Sequence, residues 1–336
     1  MSEKTPLYDQ LPLVTEEQLA MIQAAERTPE AHHALLAALP AMQGLEVGGK
    51  GSLDALPADY RVAAWNLERC LFPQKTAEHL APYAPSVLLL SEMDNGMARA
   101  GQANTTAEIA AAMGMHYAYG VEFYEMDLGG PTERAFCKDD FNARGFHGNA
   151  ILSKAPFEKL ALIRLDQDGH WFLTGAGSAG DPQQPRMGGR MAVAAVIATA
   201  HGPVCFVSTH LESNADAAYR EREFDKLMDA AEAFAPGLPV MIGGDLNTGN
   251  HLPPEFDWRE ETLFARAEAR GYSWAMTPDG VTTRASLITP HQSRKMKLDW
   301  FAARDMRAGE GLLLSSVASD DVPLSDHDAV LCRVTG

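Results

Sequence analysis

Polar side chains recur at the ends of apolar runs in this 336-residue chain. Asn66 and Glu68 follow RVAAW, Glu92 follows SVLLLS, His210 follows VCFVST, and Asp245 and Asn247 follow PVMIGG. Asp299 sits inside KLDW, and Asp326 and His327 precede AVLCRV. One such residue is an ordinary strand-end polar cap; the recurrence makes a chemical inventory. Glu92, with Glu68 or Asp326, offers the hard carboxylate oxygens that Mg²⁺ or Mn²⁺ takes. His210 and His327, set among carboxylates, can carry protons near neutral pH. Asn66 and Asn247 can donate hydrogen bonds to developing negative charge. Each also has a structural reading. Glu92 can be a solvated strand-end acid, and Asp245 and Asn247 turn residues after Gly243-Gly244. His210 can be a hydrogen-bonded core histidine, and Asp299 a buried partner of Lys297 or an arginine.

The elements that must position these groups are strands alternating with helices. Residues 86–92 form an apolar run too short for a typical helix and bounded by Pro85, which suits a strand covered on both faces. Strands are also predicted over 61–67, 149–154, 191–200, 204–213, 239–248, 297–304 and 329–334. His201-Gly202-Pro203 joins two of them as a hairpin. Helices are predicted over 73–83, 105–114, 214–235 and 258–270. In 214–235, Phe224, Leu227, Met228, Ala231 and Phe234 share one face. The pattern fits a layered α/β architecture. Residues 116–147 and 166–189 read as long irregular segments, functional or disordered. His147, in HGNAILS, stands at a strand entrance beside the first of them.

Residues 1–55 read as a helical extension and linker ahead of a catalytic domain over 56–336. Thr15 caps EEQLAMIQAAE, and Pro29 opens a second short helix. His32 and His33 are expected on its exposed face. GLEVGGKGSLDALP is expected to be a Gly-rich linker.

Composition narrows the function. The balance of 28 basic against 45 acidic residues gives a formal charge of −17. That disfavours gripping an extended nucleic-acid backbone, which needs a Lys/Arg surface. Cys70, Cys137, Cys205 and Cys332 are widely spaced and form no metal-binding or disulfide pattern. Free thiols and the absence of a signal-peptide pattern point to the cytoplasm. No apolar run approaches the roughly 18 residues of a membrane span.

In order, WNLE, LLLSEMD, GNAILS, THLES, GGDLN, LDW and SDH resemble the successive motifs of the endonuclease/exonuclease/phosphatase (DNase I-like) superfamily. The resemblance covers residues 60–335 and is nearer the DNase I and sphingomyelinase branches than the exonuclease III branch, because of His210. It implies a four-layer α/β sandwich, with two mixed, mostly antiparallel sheets face to face and helices outside. It implies Mg²⁺- or Mn²⁺-dependent hydrolysis of a phosphoester by in-line attack of water. Glu92 then corresponds to the principal metal ligand, with Asn66 beside it on metal or phosphate and Glu68 and Asp326 as further metal contacts. Asp245 and Asn247 match the pair that orients water and stabilises the pentacovalent phosphorus. His327, polarised by Asp299, matches a general base or phosphate contact, and His210 the histidine that assists the leaving group. Arg190, Asn149 and His147 are expected on the phosphate.

The substrate expected is a small or medium soluble phosphodiester or phosphomonoester. Arg134, Arg144, Arg186, Lys138, Arg284, Arg294 and Lys295 are the basic residues in the loops that would read it. A nuclease, a lyase or other hydrolase acting on a non-phosphate molecule, and a non-catalytic binding protein on the same scaffold are the alternatives.

Overall fold

The computed structural model describes residues 4–174, 179–252, 256–291 and 295–335; Arg294 lies outside them. In chain order the strands are β1 (Leu7–Tyr8), β2 (Leu45–Gly49), β3 (Tyr60–Arg69), β4 (Val87–Asn95), β5 (His116–Glu125), β6 (Phe146–Ser153) and β7 (Phe157–Arg164). β8 (Arg186–Gly188), β9 (Met191–Ile197), β10 (Val204–His210), β11 (Val240–Asp245), β12 (Asp299–Arg304), β13 (Arg307–Leu314) and β14 (Ala329–Thr335) follow. One nine-stranded sheet runs β1-β2-β5-β6-β4-β3-β14-β13, with β8 also on β5, and a five-stranded sheet runs β12-β11-β10-β9-β7. Both are mixed: β3–β4 and β10–β11 are parallel, while most other pairs are antiparallel.

Strand alternation builds the layers. In β3 and β4, Val62, Ala64, Val87 and Leu89 face inward and meet Val193, Phe206, Met241 and Phe301 of the smaller sheet. Ala63, Trp65, Leu88 and Leu90 face outward and meet the helical layer. That layer comprises α1 (Glu16–Ala24), α2 (Pro29–Ala38), α3 (Pro73–Leu80) and α4 (Thr105–Met113). After the short α5 (Pro131–Arg134), α6 (Ala217–Phe234) and α7 (Leu263–Ala269) cover the smaller sheet through Phe224, Leu227, Met228 and Leu263. Because both faces of each sheet are covered, central strands read as continuous apolar runs. The result is the expected four-layer sandwich.

Several local expectations change. Residues 45–49, expected as linker, pair with β5 as β2, and Glu46 is buried there. The segment 116–147, expected to be irregular, opens with the ten-residue β5. His32, expected to be exposed, is fully buried; its ring contacts the Gln167 carbonyl at 2.8 Å and the Gly188 carbonyl at 3.0 Å. α2 is thus fastened to the 166–189 segment by a side chain that helix periodicity alone does not place. His33 is exposed. The four cysteines are free thiols. No helix among the described residues is long and apolar enough to cross a membrane.

Candidate active site

The site lies where the inner faces of the two sheets run out at one end of the sandwich. In the smaller sheet, register sets His210 opposite Asp245 and Asp245 opposite Asp299. Directly opposed residues share a face, and this is the face that carries Phe206, Met241 and Phe301 further down. In the larger sheet, β3 carries Asn66 and Glu68 with the inward parity of Val62 and Ala64. Parity alone would turn Glu92 outward with Leu88 and Leu90. A bulge between Leu90 and Met93, with Glu92 at φ +58°, turns it in. A matching irregularity lies between Asn66 and Arg69, where Glu68 and Arg69 take φ of +42° and +75°. Strained backbone of this kind clusters at functional sites.

The contacts converge on one carboxylate oxygen. Asn66 Nδ2 donates to Asp245 Oδ2 and to Glu92 Oε1, both at 3.0 Å. His210 Nε2 and His327 Nε2 each stand 3.6 Å from the same Asp245 oxygen. The other oxygen, Oδ1, accepts the Asn247 backbone N–H at 2.8 Å. His327 Nδ1 lies 2.7 Å from Asp299 Oδ2. The serine before Asp326 ties the approach to β14 to the end of β3 within the larger sheet: Ser325 Oγ donates to the Asn66 carbonyl and accepts the His327 N–H. Burial alone would lower the His327 pKa, but Asp299, then Asp245, hold it well above the ordinary histidine value.

Gly244 lies within β11 at φ +147°, opposite Thr209 of β10, and a Cβ there would stand 1.9 Å from the Thr209 carbonyl oxygen. Only glycine lets β10 and β11 close up at the point where Asp245 projects. Gly244→Ala is expected to cost on the order of 1–3 kcal/mol of stability, read by urea denaturation. Wild-type stability in that variant would contradict this account of the close β10–β11 approach.

The carboxylates divide into two groups. Glu92 is paired with Arg69, which also reaches Glu133 at 2.9 Å. Burial would raise the Glu92 pKa, but Arg69, His210 and His147 hold it well below the carboxylate range. Glu68 instead meets the hydroxyls of Ser286 and Thr289, at 2.7 and 2.8 Å. Burial, then repulsion from Asp326, push it up to about 8. Asp326 is itself pushed up to about 6 by burial, with repulsion from Glu92 and Asp245 and relief from His327. Glu68 is repelled by Asp326 and Glu92, and Asp326 by Glu92 and Asp245; of these only Glu92 is paired with an arginine, so their hard oxygens suit a divalent cation. Asp245, Asp299 and His327 also bring donor atoms within 4.8 Å of one another. There, however, His327 Nδ1 is already engaged by Asp299, so that trio reads as a proton-handling group.

The remaining expected residues are nearby but differently engaged. Asn247, at φ +50°, turns its amide onto the Leu211 carbonyl at 3.0 Å and its carbonyl toward Asn250 at 2.8 Å. Its backbone, not its side chain, therefore holds Asp245. Asn149 Nδ2 donates to the Met191 carbonyl, and its buried Oδ1 has no hydrogen-bond partner among the described residues. His147 Nδ1 lies 2.9 Å from Asp94, which Arg99 grips with two donors. Arg190 is expected on phosphate, yet its donors go to Glu122, Glu212, His210 and Ser213. Among the other loop cations, Arg134, Arg186 and Arg284 pair with Asp127, Glu125 and Asp328, and Arg144 donates to the Leu11 carbonyl.

Sequence reasoning misses Arg69, Arg99, Glu122, Glu133 and Glu212. Glu122 had a signal: Tyr117, Tyr119, Val121 and Phe123 alternate, as a strand requires. Behind Glu212 sits Glu223, which accepts the Glu212 N–H at 2.8 Å and has a second buried oxygen without a hydrogen-bond partner among the described residues. Burial, then Glu212, raise its pKa well above 4.5. The folded state therefore keeps a proton that the unfolded chain releases as pH rises past 4.5. Stability is lost with rising pH over that window. Glu223→Gln is expected to be more stable than wild type at neutral pH, by a margin that shrinks toward pH 4.5. Thermal melts across pH check this; a margin independent of pH contradicts it.

No curated protein matches this sequence. Among solved structures, the fold is similar to an endonuclease/exonuclease/phosphatase from Beutenbergia cavernae DSM 12333, with TM-score 0.55 and 16% identity, covering 83% of this chain and 72% of that one. It is similar to the human Nocturnin catalytic domain with bound sulfate anion, with TM-score 0.55 and 16% identity, covering 87% and 97%. A humanized D. rerio TDP2 follows at TM-score 0.51 and 14% identity, covering 83% and 100%. The sequence model of the endonuclease/exonuclease/phosphatase family matches residues 63–327, from the strand that carries Asn66 to the histidine that faces Asp245. The chain belongs to that family.

Proposed function

We propose that this protein is a divalent-metal-dependent hydrolase of a compact, soluble phosphoester, diester or monoester. The observation that carries the reading is the convergence of Asn66, His210 and His327 on Asp245 Oδ2, beside Glu92. Glu92, oriented by Asn66, would hold Mg²⁺ or Mn²⁺ with Glu68 and Asp326. The cation would neutralise charge on the phosphoryl and leaving oxygens. Asp245, fixed at both oxygens, orients the attacking water. The proton from that water passes to the Asp245–His327 pair, whose facing atoms stand 3.6 Å apart. Asp299 holds the His327 ring in place and stabilises its charge when protonated.

The arginines beside the cleft support a compact substrate. Arg69, Arg99, Arg186 and Arg190 are each paired with carboxylates, so their charge is not laid out as a strip for a long polyanion.

The test is turnover of bis-p-nitrophenyl phosphate and p-nitrophenyl phosphate with Mg²⁺, with Mn²⁺ and with EDTA. The expected result is hydrolysis that EDTA abolishes and that Glu92→Gln loses while remaining folded. The ratio of the two rates separates diesterase from phosphatase. Turnover indifferent to EDTA and to Glu92→Gln would overturn the reading.

A further inference from the structure

The two histidines that face Asp245 have opposite neighbours at their other nitrogen. His327 Nδ1 meets a carboxylate, Asp299. His210 Nδ1 meets a guanidinium: Arg190 NH1 lies 2.9 Å away. A guanidinium has five N–H donors and no acceptor, so in that contact Nδ1 presents its lone pair.

Arg190 is held so that this contact persists. It is buried at the entrance to β9. Its Nε donates to Glu212 at 3.1 Å, NH1 also to Glu122 at 2.8 Å, and NH2 to Ser213 at 3.0 Å. Trp171 Nε1 donates to the same Glu212 oxygen at 2.9 Å and steadies it from the 166–189 segment. The competitor for Nδ1 is Glu122 Oε2, at the longer distance of 3.5 Å. The other charged groups toward His210 are Asp245 from β11 and Glu92 from β4.

We infer that Arg190 is a positioning residue that fixes His210 as the Nε2–H tautomer, and that His210 serves as a hydrogen-bond donor to a substrate oxygen, not as a source of protons. The inference of a substrate role rests on the phosphoester reading; the tautomer does not. With the ring proton on Nε2, His210 presents one fixed N–H beside Asp245. No bond to hydrogen breaks there during turnover, and the leaving oxygen takes its proton from water or from the Asp245–His327 pair. His327, with Nδ1 committed to Asp299, is the histidine that moves protons. The same residue type thus takes two tasks, set by the sign of the charge behind it.

Nitrogen-15 spectra of histidine-labelled protein read the tautomer without requiring turnover. The expected result for His210 is an unprotonated Nδ1 and a protonated Nε2. A protonated Nδ1, alone or with Nε2, overturns the assignment. Arg190→Lys, which keeps a donor-only cation, is expected to preserve the tautomer. Arg190→Met is expected to hand Nδ1 to Glu122 and move the proton there. Removing Arg190 leaves two buried carboxylates unpaired, so that variant can fail to fold; the wild-type and Lys spectra then decide. In the activity arm, His210→Gln keeps an N–H donor and is expected to retain more kcat than His210→Ala. Equal loss in both overturns the donor role. Absence of phosphoester turnover with the Nε2–H spectrum in place would defeat the reaction assignment and leave the Arg190–His210 assignment standing.

Discussion

His327→Gln lowers kcat by about 10²–10⁴-fold, the range for loss of a positioned acid–base group, while KM changes little. The reason is the arrangement around the ring. Asp299 lies 2.7 Å from Nδ1 on one side, and Asp245 Oδ2 lies 3.6 Å from Nε2 on the other. Asp299 is completely buried, and the largest favourable interaction of its carboxylate is with the imidazole of His327. Glutamine fills similar space but cannot move a proton. Asp299→Asn is expected to cost kcat as well, because a carboxamide no longer stabilises charge on the ring. The double variant is expected to be little worse than His327→Gln, since the two residues act as one unit. Steady-state kinetics on the four proteins check this. Additive losses would mean that Asp299 acts elsewhere, and an unchanged kcat in His327→Gln would remove the histidine from the mechanism.

The second large effect is on stability. Arg99→Met is expected to destabilise the fold by about 3–5 kcal/mol, the cost of stranding buried charge. Arg99 is almost fully buried and meets Asp94 at 2.7 Å, Glu125 at 2.7 Å and Glu133 at 2.8 Å. Methionine matches its length but leaves Asp94 without its arginine, Glu125 with Arg186 at 3.4 Å and Glu133 with Arg69. Glu125 supplies the pH signature. Burial would raise its pKa, but Arg99, then Arg186, hold it well below 4.5. That stabilising contribution is present above pH 4.5 and is lost as pH falls through the lower folded value. The gap between wild type and variant is therefore widest at neutral pH and narrows in acid. Chemical denaturation at several pH values reads it; a gap that does not narrow in acid contradicts the account. Because Asp94 also holds His147, and Glu133 also holds Arg69, the variant is expected to loosen the Glu92 flank of the cleft too.

The sandwich was legible because strands covered on both faces leave a compositional mark. SVLLLSE can be little else at its length, and the polar residue after each apolar run marks where the inner face meets the cleft. The positions of Asn66, Asp245 and Asp299 follow from strand parity. The position of Glu92 does not, because it depends on a bulge with positive φ that glutamate does not advertise. Asn247 was legible as a residue near Asp245 but not in its orientation, which Leu211 and Asn250 decide from other segments. The arginine–carboxylate network was hidden for a similar reason. Arg69, Arg99, Glu122, Glu133 and Glu212 come from five segments, and nothing in their spacing says which cation meets which acid. Arg190 shows the consequence: a basic residue before a strand reads as a phosphate contact until its four protein partners are seen. His32 was missed because burial against Gln167 and Gly188 is a tertiary fact, invisible to the periodicity of a short helix.

The most direct test of the central claim is hydrolysis in ¹⁸O-labelled water with mass analysis of both products. Attack of water on phosphorus, oriented by Asp245, predicts one ¹⁸O in the released phosphate or phosphate monoester and none in the alcohol. Label in the alcohol, or a product formed with no label in either half, would contradict it.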